Sequence, residues 1–360
     1  MDHGLLSHWI SQIRRSGRLL HSPFDDVSDA DGSIATLDYT LEELQGNLAS
    51  VSTQQNQGYV NISRAIWIRS GGRVQLPVVI KSWPLRPKPR QQGSMEEALD
   101  ACVLRMVREA RTWRSLSHPN IVTLYGWKIH GPDNNPCVIM PSYQNGDLAH
   151  FVSRAKPSNT ERLQLLMQVA DALIYMHKPR SKHGHPIVHG DIKASNVLLS
   201  DDTPKRALLA DFGAARIADG PGGTTELNTS SQNGGTVGYK APERYEPEHD
   251  ASKRRVVYKP ITASDVYSFG GLVLEVLSGV APFQGKKREQ WLISSAVITN
   301  KTSPRNEHPA VPANATAWEL MERCWTFEPK RRPTMSQVHE FLKAEYDYVR
   351  VSGDRLRCRA

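Results

Sequence analysis

The residues best suited to chemistry lie on either side of one predicted β-hairpin. Residues 189–196 read HGDIKASN, two short apolar runs follow, and residues 211–213 read DFG. Because antiparallel strands return the chain to its starting point, Asn196 and Asp211 should lie together beside Asp191. Their oxygen atoms suit a hard cation such as Mg²⁺, and a carboxylate can orient an attacking hydroxyl and accept its proton. The pattern therefore favours phosphoryl transfer.

These motifs resemble the catalytic loop and the metal-binding motif of eukaryotic protein kinases of the serine/threonine type. The resemblance covers about residues 55–350. It implies an α+β, bilobal protein kinase fold, with a small antiparallel-sheet N-lobe carrying one helix and a larger, mainly helical C-lobe. It also implies that Asp191 is the catalytic base, that Lys193 contacts the transferring phosphate, and that Asn196 and Asp211 hold Mg²⁺.

The same resemblance extends to the nucleotide. Lys81 ends a run, VVIK, that is similar to the strand whose lysine binds the α- and β-phosphates of ATP, and Glu109 is its ion-pair partner by position. Met140 resembles the gatekeeper before the adenine-binding linker, and Asp147 could reach the ribose. The residues expected to contact the nucleotide are Gly58, Ser63, Ala65, Val79, Lys81, Met140, Pro141, Tyr143, Asp147, Asn196, Leu198 and Asp211.

Further motifs resemble parts of the kinase C-lobe. Thr236 lies in a stretch similar to the loop that receives the substrate hydroxyl, and it favours serine/threonine acceptors. Asp265 is expected to brace the catalytic loop from a buried helix, and Glu243 is expected to pair with Arg332. The sequence motifs of this half are similar to those of the tyrosine-kinase-like group, and some of them are similar to those of fungal members.

Two departures from the family pattern are visible. The glycine-rich loop that covers the phosphates keeps only Gly58, with Val60 and Ser63 where other glycines would stand. This favours, as the alternative to an active enzyme, a pseudokinase scaffold that binds nucleotide weakly or not at all. The second departure is Gly190, which stands where many kinases carry arginine, and it leads to the hypothesis that activity does not require phosphorylation of the activation loop.

Hydrophobic periodicity predicts the elements that position these residues. A hairpin is expected around the turn 70–72, and a long helix is expected before the predicted junction at 116–121. The predicted elements are strands 65–68, 78–80, 121–127, 138–140, 197–199 and 207–210, a helix at about 95–116, a helical stripe from Leu163 to Ile174, and a buried helix over 266–277.

Charge and composition divide the chain further. Residues 1–54 are predicted to be an N-terminal extension with a short amphipathic helix and a linker, and they hold three Arg against eight Asp or Glu. The kinase domain is expected at 55–350, with an N-lobe at about 55–143 and a C-lobe at about 144–350, followed by a basic tail at 351–360. The net charge of +8 leaves a nucleic-acid surface or a solvated basic face as alternatives. Since no basic helix or zinc-finger spacing is present, no nucleic-acid partner is expected.

The cysteine spacing and the lengths of the apolar runs predict the cellular location. The four cysteines are scattered and indicate neither a zinc site nor a disulfide framework. No apolar run approaches the length of about 18 residues that a bilayer requires, so no transmembrane segment is expected. A soluble, cytoplasmic protein is predicted, with ATP and Mg²⁺ as cofactors and a protein carrying Ser or Thr acceptors as substrate. Membrane-surface or organelle targeting by the N-terminal helix is the alternative, and oligomeric state stays open.

Overall fold

The computed structural model describes residues 44–57, 60–69, 72–83, 106–107, 109–131, 135–179, 185–217, 235–245, 261–283, 290–298, 311–312 and 315–358. They belong to two compact units. The first takes in the described residues of Met1–Ser117 with Val122–Ser142, and the second takes in His118–Ile121 with those of Tyr143–Ala360. The first unit is mainly an antiparallel sheet and the second is mainly helical, which confirms the predicted α+β class.

Five antiparallel strands form the sheet of the first unit, in the order β1-β2-β3-β5-β4. The predicted hairpin is confirmed as β2 and β3, and the strand predicted at 138–140 lies within β5. The strand expected at 121–127 begins only at Gly126, because Ile121 instead makes a single bridge to Leu209 in the second unit. The strands are β1 (Asn47–Gln57), β2 (Val60–Arg69), β3 (Val74–Ser82), β4 (Gly126–His130) and β5 (Asn135–Pro141).

Strand β1 was not predicted. Residues 47–54 were assigned to the N-terminal extension, whereas the structure pairs them with β2. The strand is rich in Gln, Asn and Ser and lacks alternating apolar residues, so its own sequence carries little strand signal. Leu44, just before it, is buried and donates its N–H to the carbonyl of Trp127 in β4 at 2.8 Å. Tertiary pairing therefore decides the structure of this segment.

A helix in the first unit, α1, includes residues 106–107 and 109–114. It lies within the helix predicted at 95–116, whose other residues before 106 are outside the described part of the chain. Met106, Ala110 and Trp113 recur at helical spacing and are fully buried. This apolar stripe fixes which face of α1 turns inward, and therefore where Glu109 is placed.

The second unit contains six further helices in its described residues. The predicted apolar stripe lies in α3, and α4 is buried along nearly its whole length, as predicted. Local caps fix the helix starts, since Asp147 caps α2 and Ser158 caps α3. The helices are α2 (Leu148–Ala155), α3 (Asn159–His177), α4 (Thr262–Ser278), α5 (Gln290–Ile298), α6 (Ala317–Cys324) and α7 (Met335–Val351).

Two small antiparallel ribbons accompany these helices. β6 (Ile187–Val188) pairs with β9 (Arg216–Ile217), and β7 (Val197–Leu199) pairs with β8 (Ala207–Leu209). The second ribbon confirms the hairpin predicted from the sequence. It brings the residues before β7 close to those after β8.

The chain after α7 folds back onto the second unit. The carboxylate of Asp354 accepts the backbone N–H groups of Asn159 and Thr160 at 3.0 and 2.8 Å. Arg357 pairs with the buried Glu345 at 3.2 Å. Much of the predicted basic tail therefore packs on the helical unit.

The N-terminal amphipathic helix and linker predicted within residues 1–35 lie outside the described residues. Among the helices that are described, none has both the length and the apolar character that crossing a bilayer requires.

Candidate active site

Lys81 and Glu109 form a buried ion pair in the first unit. The Nζ of Lys81, on β3, lies 2.6 Å from Oε1 of Glu109, on α1. Their side chains are only 8% and 4% exposed. The predicted pairing is confirmed, and since each charge compensates the other in a low-dielectric setting, removing either would leave an uncompensated buried charge.

The register of β2 against β3 shows which residues share a face with Lys81. Ile62 lies opposite Lys81, and Ala65 lies opposite Val78, with no break in the pairing. Opposed residues project to the same face, and neighbours along a strand project to opposite faces. Ala65 accordingly packs with Val78 in the hydrophobic core, and Ser63 shares that face. Contrary to expectation, Ser63 and Ala65 therefore face away from Lys81.

The face that carries Lys81 is apolar on β3 and β5, while β2 contributes both Ile62 and, opposite Val79, Arg64. Val79 lies two residues before Lys81, and Met140 of β5 lies opposite Val79. Val138 lies opposite Lys81 itself. Ile62 belongs to this set, and sequence reasoning missed it, because only the register between strands distinguishes it from its neighbours. Gly58 lies outside the described residues.

In the second unit, the side chains of three residues form one hydrogen-bonded network with Asp191. Its Oδ1 accepts a hydrogen bond from Oγ1 of Thr236 at 2.9 Å, and its Oδ2 lies 2.8 Å from Nζ of Lys193. Nδ2 of Asn196 donates to Oδ2 of Asp191 at 3.0 Å, and Nζ of Lys193 donates to Oγ1 of Thr236 at 2.8 Å. The sequence placed Thr236 in a substrate loop but did not predict that it joins this network.

The donor set beside Asp191 fits a hard divalent cation. Nδ2 of Asn196 is engaged twice by Asp191, through the carbonyl at 2.8 Å and through the carboxylate. Its Oδ1 accepts no hydrogen bond from the described residues. The β7–β8 ribbon brings the chain back so that the N–H of Ala210 donates to the carbonyl of Asn196 at 2.9 Å, immediately before Asp211. An amide oxygen and a carboxylate in such proximity are ligands that Mg²⁺ prefers.

Asp211 has a strained backbone, with φ 62° and ψ 78°. This left-handed conformation is uncommon outside glycine and is concentrated at functional sites. Its Oδ1 accepts the N–H of Gly213 at 3.3 Å. Phe212 is fully buried and meets the ring of His189 edge-on, with 5.3 Å between ring centroids. The buried phenyl ring therefore anchors the chain directly after Asp211.

Asp265, on α4, braces the catalytic loop as predicted. Its fully buried carboxylate accepts the N–H of His189 at Oδ2 and the N–H of Gly190 at Oδ1, both at 2.8 Å. Nε2 of His177 also lies 2.9 Å from Oδ2. Burial alone would raise the pKa of Asp265, but these hydrogen bonds and the nearby histidines outweigh it, so the pKa lies below its ordinary value of 3.8.

Asp265→Asn should destabilise the protein by about 1.5–3 kcal/mol at neutral pH, because an amide cannot accept hydrogen bonds on both of its polar atoms. Since the folded pKa lies below the unfolded one, the stabilisation is complete above the unfolded value and is lost as the pH falls through the folded value. In urea denaturation, the difference in free energy of unfolding between wild type and variant should stay constant from pH 7 to about 4.5 and become smaller below that pH. A difference that vanished between pH 7 and 5 would contradict this assignment.

A second contact ties α4 to the same loop. Glu275 accepts a hydrogen bond from the hydroxyl of Tyr239 at 2.5 Å and from the N–H of Ala194 at 3.2 Å. Burial raises the pKa of Glu275, and burial together with the Glu275 charge raises the pKa of Tyr239. The buried helix therefore holds both the catalytic loop and the segment that follows Thr236.

The predicted pair of Glu243 and Arg332 is confirmed. Nη1 and Nη2 of Arg332 contact Oε1 and Oε2 of Glu243 at 2.7 and 2.8 Å. The arginine side chain is completely buried, and its nitrogens also donate to the carbonyls of Thr326, Ala263 and Phe327. Glu243 lies in the short 3-10 turn Pro242–Arg244, so the pair fixes that turn to the helical unit.

Asp147 is already engaged by its own helix. Its Oδ1 accepts the N–H of His150 at 2.9 Å, and its Oδ2 lies 2.7 Å from Nδ1 of His150. A single bridge places Asp147 beside Leu198 of β7. Tyr143 is half-buried in this unit, and Pro141 is half-buried at the end of β5 in the other. Contacts of these four residues with a nucleotide stay predictions.

Comparison with known families agrees with this arrangement. The family model described as protein tyrosine and serine/threonine kinase matches residues 55–342. The chain belongs to this kinase family. The match includes both Lys81 with its partner Glu109 and the network around Asp191, so the kinase motifs lie within one family match.

Similar kinases are found in a plant and in a mammal. Wall-associated receptor kinase-like 14 of Arabidopsis thaliana is 32% identical over 346 residues, which is 91% of this chain and 43% of that protein. Calmodulin-binding receptor-like cytoplasmic kinase 2 of the same plant is 30% identical, over 89% of this chain and 82% of that kinase. Receptor-interacting serine/threonine-protein kinase 3 of Rattus norvegicus is 32% identical, over 69% of this chain and 50% of that kinase.

This kinase chain spans about half the length of several of its curated relatives, with 43%, 50% and 58% of three Arabidopsis kinases covered. The relatives named here come from a plant and a rat, so they lend no support to the predicted likeness to fungal members.

Proposed function

We propose that the chain is a serine/threonine protein kinase of the tyrosine-kinase-like group, which transfers the γ-phosphate of Mg-ATP to hydroxyl groups of a protein substrate. The observation that carries the proposal is the network of Asp191, Lys193, Asn196 and Thr236. It combines a carboxylate for the proton, a cation for the phosphate and an amide oxygen for a metal. Several of the related proteins are named serine/threonine kinases.

Within this proposal, Asp191 orients the acceptor hydroxyl and takes its proton. Oγ1 of Thr236 donates to the carboxylate and accepts from Lys193, so it fixes both groups relative to each other. Lys193 stabilises the negative charge on the transferring phosphate. Asn196 and Asp211 would hold Mg²⁺, which supplies neutralisation of the phosphate charge when it is bound.

Lys81 is proposed to bind phosphate oxygens of the same nucleotide, with its side chain held in place by Glu109. The apolar side chains on the Lys81 face, Ile62, Val79 and Met140, are proposed to contact the adenine. Ser63 and Ala65 are left out of this set because their strand register places them on the opposite face.

A pseudokinase scaffold is the second candidate function. β1 and β2 stay paired as far as Gln57 and Val60, and residues 60–65 contain no glycine. Glycines allow the backbone to approach phosphates closely, and side chains here would hinder that approach. Weak nucleotide binding without transfer would follow from this reading.

Lys81→Met tests the proposed enzyme. With Mg-ATP and a generic basic protein as acceptor, the variant should lose about 100-fold or more of phosphate incorporation, because a phosphate-binding cation is removed. Lys128→Met is the matched control, since Lys128 lies on the same sheet and, among the described residues, its ammonium donates to the backbone carbonyls of Leu44 and Gly46. Equal losses in both variants would count against the assigned role.

The wild type separates the two candidate functions. Incorporation that depends on Lys81 supports the kinase. Absence of incorporation by wild-type protein whose melting temperature nevertheless rises with nucleotide would support the scaffold.

We also infer that the kinase domain predicted at about residues 55–350 takes in β1 as well, because residues 47–54 pair with β2 in its sheet. A protein substrate with Ser or Thr acceptors follows from the proposed chemistry. A cytoplasmic site of action is proposed because ATP is available there, and three relatives are named receptor-like cytoplasmic kinases.

A further inference from the structure

Arg244 lies next to Gly190, the residue that precedes the proposed base. Gly190 has φ +79°, a left-handed conformation in which side chains are strained. A Cβ atom on Gly190 would lie 2.9 Å from the carbonyl oxygen of Ala214 and 3.4 Å from Nη1 of Arg244. The space that a side chain would need is therefore taken by backbone and by a guanidinium.

That guanidinium is buried, and nearby carboxylates act on its charge. Arg244 is 5% exposed, and the charges acting on it include those of Asp265, Glu243 and Asp191. Burial lowers the pKa of Arg244, and the three carboxylates oppose this effect. Because a guanidinium stays protonated in proteins, Arg244 places a permanent positive charge beside the catalytic loop. The carboxylate of Asp265 accepts the N–H of Gly190, so Gly190 lies close to a negative charge on Asp265 and a positive charge on Arg244.

The backbone that carries this charge is firmly anchored. Arg244 ends the 3-10 turn Pro242–Arg244, and its N–H donates to the carbonyl of Ala241 at 3.0 Å. The preceding residue, Glu243, is bound in bidentate fashion by the buried Arg332. These contacts fix the backbone of Arg244, and burial restricts the positions that its guanidinium can take.

We propose that Arg244 is a positioning residue for phosphoryl transfer, whose guanidinium packs against Gly190 and holds the loop that carries Asp191. This rests on the proposed kinase function and goes further, since it assigns a role to a residue outside the motifs that indicated that function. Because the cation belongs to the chain, the loop is held without a phosphorylated residue. This offers a structural reason why phosphorylation of the activation loop would not be required.

The test compares Arg244→Ala with wild type in the full chain. The variant should keep its KM for ATP while its kcat falls by about 100-fold, the size expected when a catalytic group is displaced by about 1 Å. Added guanidinium ion should restore part of the activity, and Arg244→Lys should retain an intermediate rate. Urea, which has a similar shape and no charge, should restore nothing. Arg206→Ala, which removes an exposed arginine paired with Asp202, should behave as wild type with or without guanidinium.

The possible results separate this inference from the proposed function. An inactive wild type would refute the kinase activity itself. An active wild type with an equally active Arg244→Ala would refute only the role of Arg244, and so would a loss that neither guanidinium nor lysine relieves, since that indicates a purely structural role. If Arg244→Ala does not fold, Arg244→Gln decides, because it keeps the stem and removes the charge. An unchanged kcat in that variant would overturn the inference, and a fall of about 100-fold would support it.

Discussion

Asp191→Asn should lower phosphate transfer by about 10²- to 10⁴-fold, the range attributed to a positioned general base. The amide cannot take the proton of the acceptor hydroxyl. It also loses the charge that orders Lys193, which lies 2.8 Å from the carboxylate. The side chain keeps its shape and Thr236 can still donate to its oxygen, whereas the contacts of Lys193 and Asn196 with Oδ2 are lost, so the fold should be retained with reduced stability. Initial rates at saturating Mg-ATP, with thermal melting as a check on folding, measure the effect.

Asp202→Asn is the matched control for this substitution. Asp202 belongs to the same catalytic hairpin, but its exposed carboxylate lies at the surface, where Arg206 and Ser200 are its hydrogen-bond partners. Its replacement should leave transfer unchanged. If wild type and Asp191→Asn transferred phosphate at the same rate, Asp191 could not be the base, whatever the result for the control variant.

Arg332→Met should destabilise the protein by about 3–5 kcal/mol, the cost expected when one member of a buried ion pair is removed. The guanidinium is completely buried, and its nitrogens contact both oxygens of Glu243 and three backbone carbonyls. Methionine fills part of the volume but removes the donors to the three carbonyls and the charged partner of Glu243, which keeps only its hydrogen bond from Ser264 among the described residues. Urea denaturation monitored by circular dichroism should show the unfolding midpoint at a much lower urea concentration than in the wild type.

The neighbouring Arg331→Met provides the control for Arg332. Arg331 is 73% exposed, and its pairing with Glu328 is loose, at 3.8 Å. Such surface pairs contribute little, so this variant should stay within about 0.5 kcal/mol of wild type. Arg332→Lys should lie between the two, because an ammonium keeps the charge but cannot form the bidentate contact. Similar stability of Arg331→Met and Arg332→Met would contradict the importance of the buried pair.

The catalytic hairpin was predicted correctly from the sequence because its contacts join residues that are near each other in the chain. The strands β7 and β8 are adjacent in the chain, so their pairing alone places Asn196 near Asp211. The ion pairs of Lys81 with Glu109 and of Glu243 with Arg332 join distant residues, and they were predicted through family resemblance, since nothing in their spacing along the chain indicates contact.

Other features needed tertiary information. β1 lacks apolar alternation and is a strand because β2 pairs with it. Ser63 and Ala65 were assigned to the wrong face because a shift of one residue in a strand exchanges its two faces, and only pairing with β3 fixes the register. The contact of Arg244 with Gly190 crosses more than fifty positions and leaves no local signal.

The most direct test of the central claim measures transfer from radiolabelled ATP to a basic protein by the wild-type chain, with and without chelation of Mg²⁺, followed by identification of the modified side chains. The expected result is label on serine and threonine that requires the metal ion. A folded wild type that transfers no label, or that transfers it equally after chelation, would contradict the assignment of Asp191, Asn196 and Asp211 to metal-dependent phosphoryl transfer.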